Sequence, residues 1–167
     1  DHIVGGPVVA DGLILIGSSD GSLYAFDIEE GSQVWRHDTG EEIWATPAVA
    51  DGVVYVGSLQ HNLYALDLTS GERIWVFAAA GALTASPLVV HGIVYVGSFN
   101  GIFYAIDART GEEVARFEGS RGFWAGAVAT EDAIYAPSLD GNLYALDLGT
   151  LEPRWQRIET QGAITSK

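Results

Sequence analysis

Short apolar runs alternate with polar, glycine-containing turns along the whole chain. In one representative stretch, the apolar runs 47–50 and 53–58 flank an Asp-Gly pair at 51–52. Runs rich in Val and Tyr on either side of such a pair predict two strands joined by a tight hairpin turn. Two further apolar runs, at 62–67 and 73–77, follow after short polar segments. This stretch therefore predicts four short antiparallel strands.

The same pattern returns every 40 residues without an insertion. Four columns of the repeat hold one residue type in every copy, and two of them are Tyr24, Tyr64, Tyr104 and Tyr144, and Asp27, Asp67, Asp107 and Asp147. A fixed period of this length is the signature of a supersecondary unit stacked on copies of itself. We expect a single repeat domain over 1–167, with four units at 7–46, 47–86, 87–126 and 127–166.

Tandem units of four antiparallel strands predict an all-β fold, a β-propeller, because radial repetition packs the face of each sheet on the next. A helical solenoid fits less well, since the chain has 21 glycines and lacks apolar spacing of 3.6 residues. Four blades could close as a small ring, form half of an eight-bladed propeller, or belong to a longer array. An open half would expose two apolar faces. We expect these to associate, with a second copy as a homodimer or with missing blades.

One turn of the second unit departs from its counterparts. His61 stands in the column that holds Gly21, Gly101 and Gly141 in the other copies. Glycine suits the positive φ of tight hairpin turns, and histidine is among the few other residues found there. The pattern therefore predicts a left-handed backbone at His61.

A longer motif in each unit resembles a known family. Residues 65–75 resemble the tryptophan-docking motif of the pyrroloquinoline-quinone-like β-propellers, Ala-x-Asp-x-x-Thr-Gly-x-x-x-Trp. The other three units carry the motif as well, with Ala115 in place of Trp in the third and Leu151 in place of Gly in the fourth. The resemblance covers nearly the whole chain.

This resemblance implies structural roles for the motif residues. It implies that an indole of one blade docks on the neighbouring blade, at Trp35, Trp75 and Trp155, and that a carboxylate holds the turn, at Asp27, Asp67, Asp107 and Asp147. Loss of the indole at Ala115 then predicts a weaker junction after the third blade. The resemblance also implies an extracytoplasmic location, in the periplasm or at the cell surface.

Composition and charge narrow the class of protein. With 48% hydrophobic and 18% charged residues, the chain is typical of a globular fold. Its formal charge of −14 argues against nucleic acid as a partner. The apolar runs are too short to span a membrane. The chain contains no methionine and no signal peptide, so we expect it to be a processed or excised piece.

Candidate catalytic and metal-binding residues are scarce. Absence of cysteine excludes a disulfide, a thiolate zinc site and a cysteine nucleophile. The four histidines share no column of the repeat: His2, His37, His61 and His91. A quinone-dependent dehydrogenase of the resembled family would need a calcium site and a general-base Asp, whereas the recurring Asp residues are assigned to turns. We therefore expect no catalysis, no cofactor and no metal.

A binding site is expected where the copies differ on a common scaffold. Connections between blades and the loops between second and third strands should emerge on one face around the axis. Candidate partner-binding residues there are Trp44, Leu59, Phe99, Arg121, Phe123 and Trp124. These side chains either plug the axis as core or form an exposed apolar patch for a protein or peptide.

The sequence thus favours a non-catalytic scaffold or sensor module that binds protein or peptide partners. Two alternatives remain open at this point. In the first alternative, the chain is a fragment of a quinoprotein dehydrogenase. In the second, it is a purely structural repeat segment.

Overall fold

The computed structural model describes residues 2–154 and 158–159. The first sheet contains β1 (Val8–Ala10), β2 (Leu13–Gly17), β3 (Ser22–Asp27) and β4 (Gln33–Asp38). The second contains β5 (Ala48–Ala50), β6 (Val53–Gly57), β7 (Asn62–Asp67) and β8 (Arg73–Ala78). The third contains β9 (Leu88–Val90), β10 (Ile93–Gly97), β11 (Ile102–Asp107) and β12 (Glu113–Glu118). The fourth contains β13 (Val128–Ala129), β14 (Ala133–Pro137), β15 (Asn142–Asp147) and β16 (Ile158–Glu159).

Each sheet is antiparallel, and its strands are ordered as they occur along the chain. The predicted all-β fold of four-stranded blades is confirmed. Within the described ranges no helix is long and apolar enough to cross a lipid bilayer. Three apolar clusters join the first sheet to the second, the second to the third, and the third to the fourth. No cluster of described residues joins the fourth sheet to the first, so the blades form a partial propeller and not a closed ring.

The hairpin turns of the second blade have the positive φ angles that their residues predict. In the first hairpin of the second blade, Asp51 and Gly52 both have positive φ, 49° and 75°. Two positive φ values define the type I′ turn, whose twist matches that of the flanking strands. The left-handed backbone predicted at His61 is confirmed, with a φ of 68°.

In the first three blades, a glycine at the end of the second strand lets the next inter-blade connection lie against it. A Cβ added at Gly57 would lie 2.6 Å from Leu83 Cβ, and one at Gly97 would lie 2.3 Å from Phe123 Cβ. The backbone N–H of Leu83 also donates to the Ser58 carbonyl at 3.2 Å. These contacts place each connection at a defined position, which matters for the candidate site.

Neighbouring blades meet through a tryptophan at the first two junctions. The Trp35 Nε1 donates to the Leu68 carbonyl at 2.9 Å, and its ring lies 2.7 Å from where a Cβ on Gly71 would be. The Trp75 Nε1 donates to the Ala108 carbonyl at 3.0 Å. A large ring buried with its one N–H satisfied contributes both apolar area and orientation. Trp155, named in the motif of the fourth blade, lies outside the described residues.

The third junction uses a different pair of side chains. Ala115 replaces the tryptophan, and Leu151 replaces the glycine on which an indole would rest. Leu151 is only 2% exposed, and Ala115 packs against its cluster. Leu151 keeps the left-handed backbone of the glycine, with a φ of 58°, which costs about 1–2 kcal/mol for a residue with a Cβ. The junction therefore keeps apolar contact but has no indole hydrogen bond.

Restoring the Trp–Gly pair at positions 115 and 151 should show that the two positions are energetically coupled. We expect Ala115→Trp alone to destabilise, because the indole meets Leu151, and Leu151→Gly alone to destabilise, because it removes a buried side chain. The double variant should be more stable than the sum of the single effects by about 1–3 kcal/mol. Urea unfolding of all four proteins measures this coupling. Additive effects would show that the two positions do not compensate each other.

Candidate functional site

A cavity of about 280 Å³ lies where the connections leading into the four blades converge. Its lining comes from equivalent positions of the repeat: Val4, Gly5, Gly6, Trp44, Thr46, Thr84, Ser86, Trp124 and Gly126. Because each connection is held against its own blade, side chains far apart in sequence meet here. The cavity is thus built by the repeat itself.

Two tryptophans from different connections meet beside this cavity. The ring centroids of Trp44 and Trp124 are 5.8 Å apart, with an interplanar angle of 58°. Phe99 approaches Trp124 edge-on at 5.9 Å. The Trp44 Nε1 donates to Glu42 Oε2 at 2.6 Å, which orients the indole. Such tilted and edge-on pairs are the favoured geometries for aromatic side chains.

A second depression of about 380 Å³ adjoins the first through Phe99. It is lined by Phe99, Asn100, Arg121, Gly122 and Leu139. We call the continuous patch formed by Trp44, Phe99, Arg121, Trp124 and Leu139 the axial aromatic surface. Phe99 is 50% exposed, so the patch is open to solvent and does not plug the axis completely.

The structure divides the predicted partner-binding residues into three groups. Trp44, Phe99, Arg121 and Trp124 come together on the axial aromatic surface. Leu59 is half-buried, and its backbone N–H donates to the Glu42 carbonyl at 3.0 Å, but it lines neither cavity.

Phe123 does not lie on the axial aromatic surface. Phe123 is 0% exposed and packs with Phe103 at 5.3 Å between ring centroids. Its neighbour Trp124 instead lines the cavity and contacts Trp44 and Phe99. Phe123 therefore belongs to the core between the third and fourth blades.

Sequence reasoning missed a row of small polar side chains on the cavity wall. The Gly6 N–H donates to Thr46 Oγ1 at 2.8 Å, and the Thr46 N–H donates to Ser86 Oγ at 3.1 Å. Thr84 is almost fully buried, and its Oγ1 has no hydrogen-bond partner among the described residues. A column of the repeat with only small residues, 6, 46, 86 and 126, was the available signal.

One cation lies beside these aromatic rings. The Arg121 side chain is exposed and makes no hydrogen bond or ion pair within 2–154. In a chain of net charge −14, an unpaired guanidinium next to an apolar patch is a ready partner for a carboxylate. The surface thus combines apolar contact with one positive charge.

The recurring aspartates hold turns on the opposite side of the repeat unit. Asp67 Oδ1 accepts the Thr69 hydroxyl at 2.6 Å and the backbone N–H groups of Thr69 and Ser70 at 3.0 and 2.8 Å. Asp27 and Asp107 accept equivalent backbone N–H groups. In the fourth blade, Asp147 accepts the Thr150 hydroxyl at 3.0 Å. The hydroxyl of Thr69, followed by the N–H and hydroxyl of Ser70, lowers the pKa of Asp67 to about 2.

The cavity does not fit a quinone cofactor with calcium. Pyrroloquinoline quinone carries three carboxylates, but none of the side chains lining the cavity is charged. Across the part of the chain that the structure describes, no group of three or more His, Asp or Glu residues could hold a metal ion. Calcium prefers such carboxylate oxygens. The donor set therefore offers neither half of a quinone site.

Known proteins share this architecture. Residues 1–81 match the model of the family described as outer membrane protein assembly factor BamB. The chain superposes on BamB from Moraxella catarrhalis with a TM-score of 0.84 at 24% identity, over 99% of this chain and 53% of that one. It also matches quinohemoprotein alcohol dehydrogenase from Comamonas testosteroni, with a TM-score of 0.86 at 19% identity over 97% and 35% of the two chains. Residues 1–81 thus match a family of PQQ-like repeats, and nearly the whole chain shares the fold of these proteins.

A designed protein also shares this fold. The computationally designed Ika8 protein has a TM-score of 0.85 at 18% identity, over 95% of this chain and 50% of that one. No curated protein matches the sequence. The chain spans about half the length of BamB and of Ika8. These likenesses show the fold of the repeat.

The turn carboxylate predicts a specific pH dependence. In the folded chain, the Asp67 carboxyl should titrate at about pH 2 by carbon-detected NMR, against about 3.9 for an unperturbed Asp. Because the folded pKa is the lower one, this group stabilises the fold fully above about pH 3.9 and ceases to do so as the pH falls through its folded pKa. Thr69→Val removes the hydroxyl and should raise the midpoint. A wild-type midpoint near the unperturbed value would contradict the turn geometry.

Proposed function

We propose that the axial aromatic surface binds a protein or peptide segment and that the chain is a non-catalytic scaffold or sensor module. The observation that carries this proposal is the convergence of Trp44, Phe99 and Trp124 beside Arg121, whose exposed guanidinium has no partner among the described residues. Exposed aromatic and arginine side chains around a concavity are the residue types that dominate binding energy at interfaces.

The geometry favours a partner of defined chemistry. The partner contributes an aromatic or aliphatic side chain that enters the depression beside Phe99 and Leu139. A carboxylate of the partner, from a side chain or a chain end, then pairs with Arg121. Acidic residues elsewhere on the chain discourage partners whose acidic groups fall outside this contact.

Likeness to BamB supports the choice of a protein partner. That protein is described as an outer membrane protein assembly factor, and the present chain reproduces about half of its fold. On this ground we also propose an extracytoplasmic location. Catalysis is not part of the proposal, since the cavity fits neither quinone nor calcium.

A peptide-selection experiment tests the binding surface. Phage-displayed random peptides selected on the chain should be enriched in an aromatic residue near an acidic one, and the synthetic peptides should bind by calorimetry. We expect Phe99→Ala, Trp124→Ala and Arg121→Gln each to weaken binding about tenfold or more, as hot-spot residues do. Ile74→Ala is the matched control, because Ile74 is 51% exposed but lies on β8, away from the surface.

Two results would overturn the proposal. Failure to select any peptide, or binding that all three variants leave unchanged, would favour a purely structural repeat segment. Equal weakening by Ile74→Ala would show that the effect is not confined to the axial aromatic surface.

The dehydrogenase-fragment alternative has its own test. Titration with pyrroloquinoline quinone and Ca²⁺ should leave tryptophan fluorescence free of any saturable change, because the cavity lacks charged ligands. Trp124→Ala serves as the control for quenching by the coloured quinone in solution. Saturable, calcium-dependent quenching that Trp124→Ala abolishes would instead support a quinone site.

A further inference from the structure

One buried hydroxyl on a cavity wall has no partner among the described residues. Thr84 lines the cavity of about 280 Å³, which we call the axial cavity, and is only 8% exposed. Its Oγ1 makes no hydrogen bond to any described residue. Thr39 shows the usual arrangement, since it is 2% exposed and its Oγ1 donates to the Gly21 carbonyl at 2.8 Å. A buried hydroxyl without a partner is costly, so the Thr84 hydroxyl calls for a ligand.

A series of hydrogen bonds on the same wall stops one step short. The Gly6 N–H donates to Thr46 Oγ1 at 2.8 Å, and the Thr46 N–H donates to Ser86 Oγ at 3.1 Å. The next position of this repeat column is Gly126, which has no hydroxyl to accept the Ser86 N–H. A Cβ added at Gly126 would meet Ser86 only at 3.7 Å. The Ser86 N–H therefore lacks the acceptor that its two counterparts have, and there is space beside it.

The remaining walls decide which chemistry fits the axial cavity. Trp44 and Trp124 supply flat apolar rings, and no side chain that lines the cavity is charged. The nearby Glu42 carboxylate accepts the Trp44 indole N–H at 2.6 Å, and the chain has a net charge of −14. An anion therefore gains no ion pair in the cavity and is repelled by the chain. An apolar group would leave the Thr84 hydroxyl unsatisfied, so a small neutral group with both a donor and an acceptor fits best.

We infer that the axial cavity binds a primary carboxamide, the side-chain group of Asn or Gln. Its oxygen accepts from the Thr84 hydroxyl and the Ser86 N–H, and its NH₂ group donates to a remaining lone pair of the Thr46 or Ser86 hydroxyl. The planar amide lies against the indoles of Trp44 and Trp124. This inference rests on the proposed function, because the bound segment supplies the carboxamide. It adds a polar specificity to the apolar and ionic contacts of the axial aromatic surface.

Small probes of nearly equal shape test the axial cavity without any peptide. Propionamide, propionate and butanone differ in one group, and only propionamide is neutral and both donates and accepts. The indole N–H signals of Trp44 and Trp124, followed by nitrogen–proton correlation NMR, should show saturable binding of propionamide in the millimolar range. Propionate and butanone should bind at least about fivefold more weakly. Equal affinity for the three probes, or no binding of propionamide, would overturn the inference.

Three variants test the role of the Thr84 hydroxyl. Thr84→Val keeps the side-chain shape, and propionamide affinity should fall about fivefold. Its urea midpoint should stay the same or rise, because an unsatisfied buried group is removed. Gly126→Ser should also weaken propionamide binding, since the new hydroxyl accepts the Ser86 N–H and fills the space beside it. Thr39→Val is the matched control: Thr39 is buried and hydrogen-bonded but does not line the cavity, so its urea midpoint should fall while propionamide affinity is unchanged.

Two results with Thr84→Val would contradict the inference. A lower urea midpoint would show that the fold itself satisfies the hydroxyl, and unchanged propionamide affinity would remove the hydroxyl from the site. The inference and the proposed function also fail separately. Propionamide binding without any selected peptide would support the cavity assignment and contradict the proposed function. Selected peptides that bind without Asn or Gln, together with absence of propionamide binding, would contradict the inference alone.

Discussion

Apolar contact between the faces of consecutive sheets is the interaction on which the rest of this structure depends. Each blade has two apolar faces, and a four-stranded sheet alone cannot keep both from water. Packing against the neighbouring blade buries these apolar faces. One pair of positions at each junction shows how closely the two blades fit together. Where the large side chain is Trp35, the facing residue is Gly71; where the large residue is Leu151, the facing one is Ala115. The junction conserves volume and not residue identity.

The same packing creates the candidate site. Gly17 and Gly97 allow the connections that contain Ile43 and Phe123 to lie against the second strands, which fixes the positions of these connections. Trp44 and Trp124, which belong to different connections, then meet at 5.8 Å. The candidate surface is formed by the fold itself, and a preformed surface lowers the entropy cost of binding. Variation in the connections changes the surface without disturbing the blades.

Charged side chains of this chain differ in whether the fold satisfies them. Asp67 is held by hydroxyl and backbone donors and keeps a turn, whereas Arg121 has no protein partner within the described ranges and lies beside exposed rings. Groups that are satisfied internally stabilise the fold, and groups that are left unsatisfied at a concave surface are available for recognition. This contrast separates the structural aspartates from the candidate binding residues more clearly than residue type does.

Sequence alone determined the blade, because the 40-residue period, the apolar runs and the turn residues are local or periodic signals. These signals placed the strands, the left-handed His61 and the aromatic residues near the axis. Only the tertiary structure decided that Phe123 is core while adjacent Trp124 lines the cavity, that Leu151 accompanies Ala115, and that no sheet among the described residues covers the outer face of the first blade. The physical reason is that a residue's burial depends on which sheet lies opposite it. That relation joins positions in different repeat units, such as Trp35 and Gly71, and a local pattern does not contain it.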